Sequence, residues 1–277
     1  MSKAGKAGST PDSTSTRSSK YLTCLLTEIG QASHLLTTII VGLNAVENGQ
    51  EKPDTLNVSW SPSKPKLSAR KSALFARKAA ILYIAESTLA YFKEIQKSQL
   101  CEDIKEQLNA PNLGKDERAR IIATHCANEQ SLDPDLSGMM ILLRWRNKVA
   151  HNDSKEKLKQ EKDTLLRSKS EIYEKYIHLD VEKLFKSFEE NSPKLKEVSC
   201  LIAMTINTCR KVDHYIQRKL ADIKTKEDLN NYLFSMNVEQ KIAKIKRETK
   251  PSSVEVSIKR LIQTEHPEIL NAFLKYY

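Results

Sequence analysis

The sequence predicts an all-α fold, a helical body followed by a small helical C-terminal lobe. Three observations carry that reading. Apolar residues recur at three- and four-residue steps over most of the chain, the period of a helix with one face on a core. Turn-formers are scarce: 7 Gly and 9 Pro in 277 residues leave room for few turns and hence for long elements. A sandwich or barrel needs a turn signal roughly every ten residues. No G-x-G-x-x-G and no P-loop can be written, which argues against a dinucleotide-binding or P-loop enzyme.

The elements are taken in chain order. Residues 1–19 are polar and rich in Ser and Thr, with no apolar h-region, so the sequence predicts a disordered tail and no secretory signal. The body is expected over 20–223. Its first helix, Tyr21 to Val46, carries Leu22, Leu25, Leu26, Ile29, Leu36, Ile39, Ile40 and Leu43 on its apolar steps and ends at Asn48-Gly49. The most apolar run, Leu35 to Val46, falls short of the ~20 residues that cross a bilayer. Pro53, Pro62 and Pro65 make 50–67 a loop, in which Val58 to Trp60 can dock against the body. An Ala-rich helix is expected from Ser68 to Ser98, with Glu86 set among apolar neighbours. A carboxylate on such a face calls for a cation, with Arg146 as the candidate; the alternative is an exposed Glu. Short helices at Glu102–Leu108 and Lys115–Glu129 come next.

Asp133-Pro134-Asp135 is a strong helix start: an N-cap acid, Pro at the first helical position, a second acid in the first turn. That helix should run to His151, before the turn signal Asn152-Asp153-Ser154. Ser154 or Asp163 is expected to cap the next stretch. Residues 155–177 are highly charged and thin in apolar content, which predicts a solvated helix or a mobile arm. Asp180 to Phe188 is helical, and Ser192-Pro193 opens a long helix to Ile223. Residues 224–277 read as two or three shorter helices, with Thr225 and Ser253 as N-caps.

The charge balance is 45 Lys and Arg against 35 Asp and Glu, a formal +10, which favours acidic partners, RNA or DNA first. Five Cys without a C-x-x-C fit reduced thiols in a cytoplasmic protein rather than a disulfide framework or zinc cluster. Aromatic residues are too few, and too little interleaved with cations, for a stacking RNA-binding platform.

The segment Arg146-Asn147-Lys148-Val149-Ala150-His151 carries the chemistry that stands out. Arg keeps its charge and presents a forked donor set to phosphate oxygens. His in general titrates near neutrality and can act as acid or base toward a ribose 2′-OH or a leaving 5′ oxygen. Five helical steps turn roughly 140°, so Arg146 and His151 converge only if the helix ends near His151 or Arg146 reaches round. The carbonyls of a helix C-terminus would favour an imidazolium there.

This segment, with its apolar lead-in Ile141-Leu142-Leu143-Arg144-Trp145, resembles the signature of the HEPN superfamily: an Arg, a polar residue such as Asn, then a His with four to six residues in between. Four residues lie between Arg146 and His151, the low end of that range. The resemblance covers roughly residues 20–220. It implies an all-α bundle and a metal-independent endoribonuclease acting through 2′-OH attack, with no cofactor. It also implies a homodimer in which two motifs face across a two-fold axis to form one cleft. Catalytic roles would fall to Arg146, Asn147 and His151. Family members serve as toxins, in phage defence or in RNA processing, so an inhibitor or antitoxin partner is implied as well. Lys148 is expected to contact substrate, as is the basic stripe Lys241, Lys244 and Arg247, whose neighbours Ile242 and Ile245 could dock on the body. The other readings stay open: a helix end that is merely solvated, or a HEPN-like fold that binds nucleic acid or acts as an adaptor without cleaving.

Overall fold

The computed structural model describes residues 18–97, 99–127, 133–151, 154, 156–235, 238–266 and 269–276, and among these every regular element is helical. The expected N-terminal tail lies, up to residue 17, outside the described residues. Ser19 is ordered and buried. Its hydroxyl accepts from the Leu22 N–H at 3.2 Å, and its own N–H donates to the Asp213 carboxylate at 3.2 Å.

That cap starts α1 (Lys20–Glu47). Leu22, Leu25, Ile29 and Leu36 form its buried stripe; beyond Leu36 no residue of the helix is buried. By length and composition alone α1 meets the measure of a membrane-crossing helix, with a mean hydropathy of 1.3 over 18 residues, which the shorter run 35–46 does not. Val58 and Trp60 are exposed, so the docking expected of the following loop is corrected: Pro on either side leaves that strip without a partner face.

α2 (Pro65–Gln96) begins three residues before the expected Ser68, because Pro65 itself takes the first helical turn, where its missing N–H costs nothing. It lies along α1, tied near their shared end by Arg70 Nη2 to Glu47 Oε1 at 2.8 Å. A 3₁₀ segment (Gln99–Ile104), α3 (Lys105–Leu108) and α4 (Lys115–Ala127) follow.

α5 (Pro134–Ala150) is the central helix, in contact with α1's partner α2, with α4, and with two elements further on, α6 (Lys159–Arg167) and α9 (Leu195–Ala221). Asp133 Oδ1 accepts from the Leu136 N–H at 2.6 Å, as the sequence predicted. From Asp135 to Leu143 every residue of α5 is buried. Gly138 makes the α5–α9 crossing close: a Cβ there would collide with the Met204 side chain.

The charged stretch 155–177 is neither a solvated helix nor a mobile arm. It forms α6 and α7 (Lys169–Lys175), packed on the body through buried Leu165, Ile172 and Tyr176. Glu161, also in α6, is fully buried and faces the Arg144 guanidinium at 3.0 Å, a charge contact without a well-aligned hydrogen bond. Neither Ser154 nor Asp163 caps this helix; Leu158 precedes it without a side-chain cap, and Asp163 lies inside it. α8 (Val181–Glu189) forms where a helix was expected, and Asp180 caps it, its Oδ1 accepting from the Lys183 N–H at 3.1 Å. α9 opens with Glu197 reaching back to the Lys194 N–H at 2.8 Å.

The C-terminal lobe holds four α-helices among the described residues rather than two or three: α10 (Lys226–Ser235), α11 (Val238–Glu248), α12 (Val254–Glu265) and α13 (Leu270–Tyr276). They pack chiefly on one another around Leu229, Leu233, Val238, Ile262 and Ile269. Thr225 caps α10, with its Oγ1 accepting from the Asp228 N–H at 3.0 Å and Asp228 accepting in return from the Thr225 N–H at 2.9 Å. Ser253 makes no side-chain cap, since a 3₁₀ turn (Pro251–Ser253) runs directly into α12.

Candidate active site at the end of α5

Trp145 is wholly buried, edge-on to Phe188, and its Nε1 donates to Asn191 Oδ1 at 3.1 Å. An indole held on both its apolar and polar sides fixes the rotation of the last turn of α5. The next residue therefore emerges at a defined place on the surface, beside α2.

There Arg146 Nε donates to Glu86 Oε1 at 2.6 Å, with Nη2 reaching the same oxygen. Nη1 donates to Asn147 Oδ1 at 2.8 Å. Asn147 Nδ2 in turn donates to Glu156 Oε1 at 3.0 Å, and the Ser154 hydroxyl donates to that oxygen at 3.2 Å. A continuous polar chain thus runs from α2 through the end of α5 to the segment after it. Glu86 keeps half of its side-chain surface exposed and Arg146 22%, so the pair stands at the solvent boundary.

α5 ends at Ala150, next to the expected end at His151. His151 is its C-cap, in extended conformation, and donates its N–H to the Asn147 carbonyl at 2.9 Å. Its ring is exposed and has no hydrogen-bond or ion-pair partner among the described residues. The structure therefore brings Arg146, Asn147 and Glu86 together and does not join the His151 imidazole to them; His151 is tied to Asn147 through the backbone alone. Asn152 and Asp153, the expected turn, lie outside the described residues.

Lys148 turns the other way. Its Nζ donates to the Phe188 carbonyl at 2.8 Å and the Glu189 carbonyl at 3.2 Å, and lies 4.6 Å from the Phe188 ring centroid. Desolvation lowers its pKa. The structure gives this ammonium the end of α8 to cap rather than an open position for phosphate. Lys241, Lys244 and Arg247 are exposed on α11, while Ile242 and Ile245 turn inward, chiefly toward α10 and α12 rather than onto the body.

Glu156 is the site residue that sequence reasoning missed; nothing distinguishes it within a charged stretch. Among the described residues no three His, Cys, Asp or Glu side chains stand where they could share a metal ion. His125 is engaged elsewhere, with Nε2 3.1 Å from the Tyr215 hydroxyl and 3.2 Å from Asp103 Oδ2.

No family model matches this chain, and no curated protein and no solved structure matches it at a significant level.

Proposed function

We propose that the chain is a metal-independent endoribonuclease of the HEPN type, working as a homodimer and held in check as a conditional toxin or defence effector. One observation supports this above the rest: Arg146 and Asn147 are oriented by further side chains in the last turn of α5, and His151, with an exposed ring, is the C-cap of the same helix. In this reading Arg146 stabilises the phosphorane charge, and His151 moves a proton at the 2′ or 5′ oxygen. The 2′-OH oxygen bonds to phosphorus as the P–O5′ bond breaks, leaving a 2′,3′-cyclic phosphate and a 5′-OH. One His supplies one proton-transfer group, so the second comes from the partner copy.

The dimer reading has a physical basis on α2. Phe75 is 74% exposed and Tyr83 49%, both on the helix stripe that continues to Glu86. Two copies joined along that apolar strip would bring their Arg146 sites near one axis.

The second reading, a helical nucleic-acid-binding or adaptor protein without cleavage, is favoured by the engagement of Arg146 with Glu86. Incubation of the purified chain with mixed RNA in excess EDTA separates the two. Products bearing 2′,3′-cyclic phosphate, absent with His151→Ala, are expected; intact RNA, or equal cleavage by His151→Ala, selects against the ribonuclease assignment.

A further inference from the structure

The exposed stripe of α2 changes character at Glu86. Before it stand Phe75 and Tyr83; after it stand Ala90, Lys93 and Lys97. This second half forms one wall of a cleft of about 540 Å³, and the first turns of α4 form the other. The volume is within the ~300–1,000 Å³ of pockets that enclose a nucleotide-sized ligand. Its floor is apolar and buried, made by Leu89, Phe92, Ala119 and Ile122. Its rim carries Lys93, Lys97, Lys115 and Arg118, four cations against the single carboxylate of Glu86.

One of these cations is engaged within the fold: Lys97 pairs with Glu94 at 2.5 Å. Lys93, Lys115 and Arg118 have no ion pair among the described residues. The Arg118 Nε is buried and has no hydrogen-bond partner among the described residues. Lys115 and Arg118 lie in the first turn of α4 together with Asp116 and Glu117, of which Glu117 is held by Arg120. Glu86 lines this cleft and also holds Arg146, so one end of the cleft adjoins the Arg146 pair. Lys93 lies two helical turns, about 10 Å, along α2 from Glu86.

We propose that the cleft between α2 and α4 is the path of the RNA strand as it leaves the Arg146 site, with phosphates held by Lys93, Lys115 and Arg118 and a base seated on the Leu89–Phe92 floor. The choice of polymer rests on the ribonuclease reading above; the assignment of an anionic strand to this cleft rests on the cleft alone. The positive rim would also attract an acidic protein face, but the narrow apolar floor suits a base rather than a side-chain carboxylate.

The test uses the full chain and an uncleavable 2′-O-methyl RNA of about ten nucleotides, a length within the span of single-strand grooves. Binding is read by fluorescence anisotropy over a salt series. Two variants address the cleft: Lys93→Gln with Lys115→Gln and Arg118→Gln, and Ala90→Glu, which places a carboxylate in the cleft without removing a contact. Each should raise Kd at least tenfold near 0.1 M salt. The triple variant should lower the salt slope by about 2, since three phosphate contacts each contribute roughly 0.7 on a single strand. Should both folded cleft variants bind with unchanged Kd and slope, the cleft assignment is overturned, whether or not the chain cleaves RNA. Loss of binding in the cleft variants from a chain that shows no cleavage would uphold the cleft and reject the ribonuclease reading. Equal competition by a mononucleotide and the oligonucleotide would show a small-ligand pocket and overturn the strand path.

Discussion

Arg146 owes its orientation to a carboxylate that a phosphate must rival. Glu86 is half exposed, and a pair at that boundary contributes less than about 1 kcal/mol. Glu86→Gln should therefore leave thermal stability within that margin while tightening low-salt RNA binding, because the guanidinium regains its free charge; weaker binding would show that orientation outweighs charge. His151→Ala and Arg146→Ala should each lower cleavage by about 10²-fold or more, with circular dichroism unchanged, and Asn147→Ala should cost less. The thiols give a separate check. Burial pushes Cys101 up to about 12 and Cys200 to about 11, and raises Cys126 and Cys209 as well, while Cys24 is exposed. Native protein near pH 8 should thus show one fast thiol toward Ellman's reagent, and all five only after unfolding. The same shifts fix a sign. Above pH ~8.5 the unfolded chain loses these protons first, so stability falls as pH rises, and the urea midpoint should drop between about pH 8.5 and 10. A flat midpoint would mean that the thiols ionise equally in both states.

The central helix α5 was legible because its signals are local. Asp133, Pro134 and Asp135 announce the start through capping chemistry, and the apolar run after them has the right period for burial. The helices after it were not legible, because their anchoring is tertiary. Leu165, Ile172 and Tyr176 are widely spaced among charges, and Glu161 reads as a surface residue until Arg144 of α5 is seen across from it. The same limit applies around the site. The Arg-Asn and His residues could be read from their spacing, and Glu86 from its apolar neighbours, but the capping role of Lys148 depends on where α8 happens to end. Two substitutions probe the frame. Gly138→Ala forces α5 away from Met204 and should cost ~1–3 kcal/mol in urea melts, the usual effect of overpacking. Trp145→Ala should cost ~3–5 kcal/mol. It should also lower cleavage beyond the loss of folded protein, since the turn carrying Arg146 loses its anchor; cleavage that tracks the folded fraction alone would refute that coupling.

In the whole molecule, the α2 stripe sets the proposed assembly. On the proposed reading its exposed apolar half, Phe75 and Tyr83, would join two copies, and its cationic half would guide the strand. Phe75→Glu should convert a micromolar dimer into a monomer by light scattering and abolish cleavage together with it, while RNA binding in the cleft persists. A parent chain that is monomeric yet cleaves at the full rate would defeat the composite site. On that reading the +10 charge would draw RNA to either form, and association between chains, rather than capture of substrate, would be the limiting event. That exposed aromatic strip would then work as a dose meter. While most chains are single, the number of pairs grows as the square of the number of chains, so roughly doubling the supply multiplies cutting about fourfold. A cell holding few copies would keep the enzyme silent by scarcity alone, and a modest burst of synthesis would be enough to arm it.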